Sequence, residues 1–476
     1  MTTYQTIDVL CDDDVGLAAG ESLHEQKSRF VSRLMRGQAK VAIWGLGYLG
    51  YHNLVQLVTR GLGVVVTDRS QERLERVSGR VFLEELLRSR YGFVVLDGRH
   101  PWTPIQVCQE QALAGCKDVA AHLICVANEK DGRPSDEPLL DIMHLLARAG
   151  LQRRADPVLV VVESFGVPDV IKRVVLPVVE RVGLRVGRDI CVGVAPRLDY
   201  GCSPFANRSP VRVVGGVTAR CRALLEAMYG LLGEEVRVAS SPLTAELACT
   251  THRGAQHLLM SYANQLALAF GEIDARELMD LTASLGEPVL SRPGLGSSGH
   301  FLPVSACHLR DAALAPEMLT LLEETFRCDL MMVGVIADRL MTAGVNRPAI
   351  LGLATQADIR SHVHSPSLKL VGSLRSRGAR PVVCDPLYSK TEIVRITECP
   401  AVEWPAGLRD CDGAVLVTGH NPFRVVDHDE LAGHLRGLNL ILDCSGTWAH
   451  KGLRCAGVNY YALGEPGWRG DEGARV

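Results

Sequence analysis

Two strand-and-helix domains separated by a helical middle, an α/β architecture overall, are predicted by three features of this 476-residue sequence. Short apolar runs alternate with amphipathic segments from Lys40 onward, and the same alternation returns near Pro348. Two long stretches of helical periodicity lie between these regions. A glycine-rich turn directly follows the first apolar run, and an acidic residue closes the second. The length alone calls for two or three domains, since a domain usually takes about 100 to 200 residues.

Residues 1–39 are polar and then faintly helical around SLHEQKSRFVSRLMRG, so they read as an extension that packs on the body. Residues 40–216 carry the runs KVAIWG, GVVVTD, HLICVA, PVLVVVES and DICVGVAP, whose continuous apolar character suits a parallel sheet covered on both faces. After Val213–Gly216 the strand signals fade. The segments LTAELACTTHRGAQHLLMSYANQLALAFG and APEMLTLLEETFRCDLMMVGVIADRLMTAG then make residues 217–345 a helical section. Residues 346–476 resume the alternation with PAILGLA, RPVVCD, DGAVLVTG and LNLILDCSG, as a second and smaller α/β domain.

Composition excludes several classes. Acidic and basic side chains nearly cancel, at a formal charge of -3, which gives no support for a nucleic-acid or membrane surface. No run reaches the roughly 18 apolar residues of a membrane span, and the polar start lacks a signal-peptide pattern, so a cytoplasmic protein is expected. Fifteen cysteines without a C-x-x-C pair argue against a disulfide framework and against a zinc site. Reduced, structural thiols and no bound metal are expected.

The strongest motif is KVAIWGLGYLGYHN. It places Gly45, Gly47 and Gly50 in G-x-G-x-x-G between a strand and a helix, with Tyr48 and Leu49 opening the helix and Asp68 closing the next strand. Gly45 permits the tight turn, Gly47 admits a pyrophosphate to the backbone, and Gly50 lets helix and strand touch. Asp68 would accept hydrogen bonds from ribose hydroxyls and repel a 2'-phosphate, which favours NAD over NADP. Arg69 beside it weakens that preference slightly.

With GLGYLG, LICVAN followed by DGRPSD, VVESFGVP, AELACTTHRG, GLGSSGHFLPVS, ILGLATQAD and LVTGHNPF in one order, the chain resembles the UDP-glucose/GDP-mannose dehydrogenase family across roughly residues 40–465. The resemblance implies an N-terminal Rossmann NAD domain, a central all-α dimerisation domain with long helices, and a C-terminal Rossmann-like domain for the nucleotide sugar. It also implies NAD as cofactor, a UDP- or GDP-sugar as substrate and a homodimer through the central helices. Ala127 and Glu163 fall at cofactor-side positions.

Members of that family oxidise a primary alcohol to a carboxylate in two hydride transfers, holding the aldehyde on a cysteine thiol. Here the cysteine position is Phe301 and the later aspartate position is Ser305. The family's helix lysine and asparagine fall at Cys249 and Arg253, the threonine after E-S at Phe165, and the glutamate of its P-E segment at Arg197. Val363 replaces an arginine, and Gln356 is a further departure. By the same resemblance Arg197, Tyr200, Gly294, Gly296 and Phe301 face the substrate.

A second oxidation needs a hydrogen on the carbon and a nucleophile that turns the aldehyde into a hydride donor. A secondary alcohol stops at the ketone and needs no thiol, so Phe301 can wall the pocket instead. One hydride transfer still needs a base and a group to hold the alkoxide. Cys249, His252 and Arg253, three and four residues apart on one helix face, and His300 in the glycine loop are the candidates. Each has a plainer alternative: Cys249 as a buried filler, His252 as a solvent or dimer contact, His300 as a structural residue, Arg197 and Arg253 as ion-pair residues. His420 and Asp443 are expected to shape loops.

The expected function is therefore a single two-electron oxidation of a nucleoside-diphosphate sugar, secondary alcohol to ketone. The octose dehydrogenases of lincosamide antibiotic assembly are a plausible relative by family analogy. The rivals are an epimerase that retains NAD and a catalytically silent nucleotide-binding scaffold.

Overall fold

In the computed structural model of the chain, the residues described are 22–78, 105–126, 129–130, 133–164, 166–197, 211–286, 290–297, 302–449, 453–454 and 457–470. The chain divides into two compact units, residues 1–250 and 251–476.

The first unit opens with helix α1 (Leu23–Met35). Ser22 accepts the Glu25 amide while the Glu25 carboxylate accepts the Ser22 amide, a capping box that fixes where the helix starts. Phe30 and Leu34 enter the hydrophobic core, and Arg29 and Arg33 both pair with Asp156 at 2.8 and 2.6 Å. The α1 part of the extension thus packs on the body.

An eight-stranded sheet follows. Its strands are β1 (Lys40–Trp44), β2 (Val64–Thr67), β3 (Gln106–Val107), β4 (Val119–Ile124), β5 (Val158–Val162), β6 (Ile190–Val194), β7 (Val211–Gly216) and β8 (Glu235–Ala239). The spatial order is β8-β7-β6-β5-β4-β1-β2-β3. The six strands from β1 to β6 are mutually parallel; β7 runs antiparallel to β6, and β8 is parallel to β7. The central strands are buried at nearly every position, as their unbroken Val, Ile and Leu runs require.

The N-terminal sheet does not end at Gly216. Strand β8 continues it, joined to β7 through helix α3 (Ala219–Leu231). Its sequence EVRVA is half exposed along an edge, so charged residues replace the apolar run that marks the inner strands.

Helix α4 (Pro242–Ala269) crosses the division between the units. The second unit continues with α5 (Ala275–Ser284), α6 (Leu302–Ala312) and α7 (Thr320–Thr342). Its sheet comprises β9 (Pro348–Leu351), β10 (Val382–Cys384), β11 (Gly413–Leu416), β12 (Leu440–Asp443) and β13 (Tyr460–Ala462), all parallel, in the order β10-β9-β11-β12-β13. No helix among the described residues is long and apolar enough to cross a membrane. Among the described residues there is also no group of three or more His, Cys, Asp or Glu able to hold a metal.

Candidate active site

The turn after β1 has the geometry that its glycines were expected to permit. Gly45 adopts φ +90°, and its amide donates to the Thr67 carbonyl at 2.9 Å. A Cβ at Gly50 would stand 1.8 Å from the Gly45 carbonyl oxygen, so only glycine lets helix α2 (Tyr48–Thr59) approach β1 this closely. Nothing lies within 4 Å of where a Cβ of Gly47 would point, and no side chain caps the helix there. Open space and uncapped amides at a helix N-terminus together suit a pyrophosphate. Tyr48 and Leu49, half-buried, form the first turn.

Asp68 is positioned by two amides: its Oδ2 accepts Leu46 N–H at 2.6 Å and its Oδ1 accepts Ser70 N–H at 2.7 Å. Remaining lone pairs on that carboxylate can accept ribose hydroxyls. Arg69 turns to solvent and pairs with Asp141 at 3.0 Å and Glu110 at 3.4 Å, so its charge is directed to acids rather than to a 2'-phosphate. The hydrogen bond it donates to Asp141, then the charge of Glu110 set against burial, raises its pKa. Ala127 lies outside the described residues.

Glu163 and Arg197, which the resemblance puts on the cofactor and substrate sides, both have interior hydrogen-bond partners. Glu163 is fully buried; its Oε2 accepts Asn53 Nδ2–H at 2.5 Å and its Oε1 accepts the Tyr229 hydroxyl in a short bond. Arg197 is fully buried too, and donates from Nη1 to Asn53 Oδ1 at 2.5 Å and Gln56 Oε1 at 3.1 Å. Its Nη2 stands 4.0 Å from Glu234, which grips Arg212 through two bonds of 2.6 and 2.9 Å. Burial by itself would lower the Arg212 pKa, but the charge of Glu234 outweighs it and raises the value. Two arginines and two glutamates therefore neutralise one another inside the first unit, which removes the cost of an unpaired buried charge. The resemblance gave Arg197 a substrate-facing position; packing gives it interior partners. Tyr200 lies outside the described residues.

Helix α4 separates the three residues that spacing had grouped. Cys249 and Arg253 are buried, and Arg253 Nη1 donates to Gln256 Oε1 at 2.9 Å. His252 is exposed. Residues three and four positions on from Cys249 lie about 100° apart around the helix, and the edge of the buried face falls between them. Partial desolvation of the ring by its neighbours, then the charge of Arg253, lowers the His252 pKa and favours the neutral imidazole a base requires.

Gly294 and Gly296 serve as anchor points of the glycine loop. The Gly294 amide donates to Asn264 Oδ1 at 2.9 Å. Gly296 has φ +137°, and a Cβ there would stand 3.2 Å from Asp329 Oδ1. Ser297 N–H donates to Asp329 Oδ1 at 2.9 Å, and the Ser297 hydroxyl donates to Oδ2 in a short bond. His257 Nε2 lies 3.3 Å from the same oxygen. His300 and Phe301 lie outside the described residues. Sequence reasoning missed Asn264, His257, Ser297 and Asp329. The available signal was the spacing 249, 253, 257, 261 and 264 along α4, with a lone acid in an apolar seam of α7.

In the C-terminal sheet, β9 and β11 are neighbours from which the chain proceeds in opposite directions, the switch point where open α/β sheets bind ligands. Asp385 gathers the loops there, accepting the amides of Leu353, Ala354 and Leu387 at 2.7, 2.7 and 2.8 Å. His420 Nε2 lies 3.1 Å from Asp385, and His420 Nδ1 accepts the Asp358 amide at 2.9 Å. Asp443 accepts the amides of Ser445, Gly446 and Trp448 and the Tyr460 hydroxyl, so it holds the loop after β12.

Two largely parallel sheets, a glycine turn on the first and long helices between them in sequence define a fold with two Rossmann-type domains. Solved structures share it. A UDP-D-ManNAc dehydrogenase from Pyrococcus horikoshii superposes with TM-score 0.71 at 21% identity, covering 90% of this chain and 99% of that one. A UDP-glucose dehydrogenase from Pyrobaculum islandicum gives TM-score 0.70 at 20% identity, covering 86% and 95%. Residues 349–450 match the UDP binding domain of the UDP-glucose/GDP-mannose dehydrogenase family. Over 433 residues the chain is 22% identical to the UDP-N-acetyl-D-mannosamine dehydrogenase of Pyrococcus horikoshii, covering 87% of this chain and 99% of the relative. Residues 349–450 thus carry that family's UDP binding domain, and the chain as a whole is similar to nucleotide-sugar dehydrogenases.

Proposed function

We propose that this protein oxidises a nucleoside-diphosphate sugar once, removing two electrons, with NAD as the acceptor and a secondary alcohol as the favoured substrate group. The observation that carries the reading is a contrast. The Gly45–Gly50 turn and Asp68 keep the cofactor geometry, while Phe301, Ser305, Cys249 and Arg253 replace the groups of the two-step oxidation.

The turn fits a nicotinamide dinucleotide: the uncapped α2 amides would hold its pyrophosphate and Asp68 the adenosine ribose. Bound there, the dinucleotide supplies the hydride acceptor. Asp385 and His420 hold the loops at the end of the C-terminal sheet where the UDP part of the substrate binds in this reading. His252, exposed and biased to its neutral form, takes the hydroxyl proton. A ketone product has no hydrogen left on its carbon, so no thiol is called for. Assembly of an unusual sugar, as in antibiotic biosynthesis, is the setting that fits such a reaction, and a cytoplasmic location goes with it.

The protein acts as a homodimer in this reading. Tyr262, Leu281, Leu321 and Leu330 are all more than half exposed on the helices of the second unit, which supports burial against a second copy.

Incubation of the purified protein with NAD+ and a panel of UDP- and GDP-sugars, followed at 340 nm and by mass spectrometry of the product, tests the proposal. A product about two mass units lighter supports it. Unchanged mass with inverted stereochemistry would instead establish an NAD-retaining epimerase, and nucleotide binding without turnover a scaffold.

A further inference from the structure

We propose that Asp329, braced by His257, is a positioning residue that fixes the course of the glycine loop, a role that rests on the oxidation proposed above. Asp329 and His257 are both buried, on α7 and α4 respectively. Asp329 Oδ1 accepts Ser297 N–H at 2.9 Å, and Oδ2 accepts the Ser297 hydroxyl and faces His257 Nε2 at 3.3 Å. The second ring nitrogen of His257 lies 3.2 Å from Thr325 Oγ1, whose hydroxyl donates to the Leu322 carbonyl at 2.6 Å. Phe326 meets the ring edge-on at 5.6 Å, and Lys369 Nζ stands 4.0 Å from Asp329. These neighbours hold the imidazole still, and the imidazole holds the carboxylate.

The loop is tied at two points three residues apart, Gly294 to Asn264 and Ser297 to Asp329. Between them Gly296 lies against the carboxylate at φ +137°, a conformation that residues with a side chain rarely adopt, and a Cβ there would crowd Asp329 Oδ1 at 3.2 Å. Holding a carboxylate in the interior costs more than filling the same space with apolar atoms. What the carboxylate adds is direction: it orients one backbone N–H and one hydroxyl where a leucine would orient neither. In sequence the oriented segment is followed by residues 298–301, and the family carries its reacting cysteine at the last of these positions.

The test compares Asp329→Asn, Ser297→Ala and Ser297→Thr with the wild type. The readouts are kcat and KM for whichever UDP- or GDP-sugar of the panel the wild type turns over, NAD+ affinity by titration, and melting temperature. Asp329→Asn is expected to lower kcat about tenfold or more, with sugar-nucleotide KM and NAD+ Kd within about twofold, because a displaced loop wall misorients the reacting hydroxyl more than it weakens binding. Ser297→Ala should lose several-fold in kcat, and Ser297→Thr, which keeps the hydroxyl, should recover most of it. Wild-type kcat in folded Asp329→Asn, or a fall in kcat matched by equal losses in NAD+ affinity and stability, would overturn the proposal. Should the wild type turn over no sugar nucleotide, the functional reading fails separately. Amide hydrogen exchange at Gly294, Gly296 and Ser297 then decides: about tenfold faster exchange there in Asp329→Asn, with the α4 and α7 amides unchanged, supports the clamp, and unchanged loop exchange removes it.

Discussion

Replacing Glu246 by glutamine should make the protein more stable at pH 8 and leave it nearly unchanged at pH 4.5. Glu246 lies in the first turns of α4, 8 % exposed, and its Oε2 accepts the Asp169 amide at 2.7 Å. Asp169 itself holds φ +74°. Burial raises the Glu246 pKa from 4.5 to about 7, only partly offset by the Asp169 and Val170 amides, and the like charge of Asp169 adds to the rise. The folded chain therefore keeps a proton that the unfolded chain loses above pH 4.5, and stability falls as pH climbs toward 7. Each pH unit between those two values costs about 1.4 kcal/mol, so the full penalty above pH 7 is about 3 kcal/mol. Glutamine keeps an acceptor for the Asp169 amide and carries no charge. Urea unfolding of both proteins from pH 4.5 to 8.5 should show curves that separate through this window, reaching a gap of about 2 to 3 kcal/mol at pH 8. Parallel curves, or a variant less stable than wild type at pH 8, would refute the argument.

Gly50→Ala would force a methyl group to 1.8 Å from the Gly45 carbonyl, so NAD+ binding should be lost in titrations while the second unit still folds by circular dichroism. Glu234→Gln leaves Arg212 buried without its paired anion and should cost about 3 to 5 kcal/mol in urea unfolding, as breaking one side of a buried pair does. Phe301→Cys should not produce a carboxylate product by mass spectrometry, because Ser305 and Cys249 also differ from the acid-forming set.

The inner strands were legible because parallel strands covered on both faces must be apolar without interruption, and KVAIW, VLVVV and ICVGV show that pattern directly. Strand β8 was not, since an edge position admits the charges of EVRVA. At the site, Gly45, Gly50 and Asp68 could be read because a backbone requirement acts on each residue separately. Arg197 could not be placed: alignment gives a position in the chain, whereas its partners Asn53 and Gln56 lie more than 140 residues away. The same limit hid the pairing of His257 with Asp329, 72 residues apart, and the split of His252 from Arg253 depended on which side of α4 is covered. Local conformation is written locally, whereas the pairing of buried charges is decided by tertiary packing.

The central claim is a single oxidation, and the count of electrons per sugar tests it most directly. With a limiting amount of the substrate nucleotide sugar and excess NAD+, run to completion with the ketone trapped by a carbonyl reagent, the account predicts one mole of NADH per mole of sugar. Two moles, formed in step with a carboxylate, would contradict it.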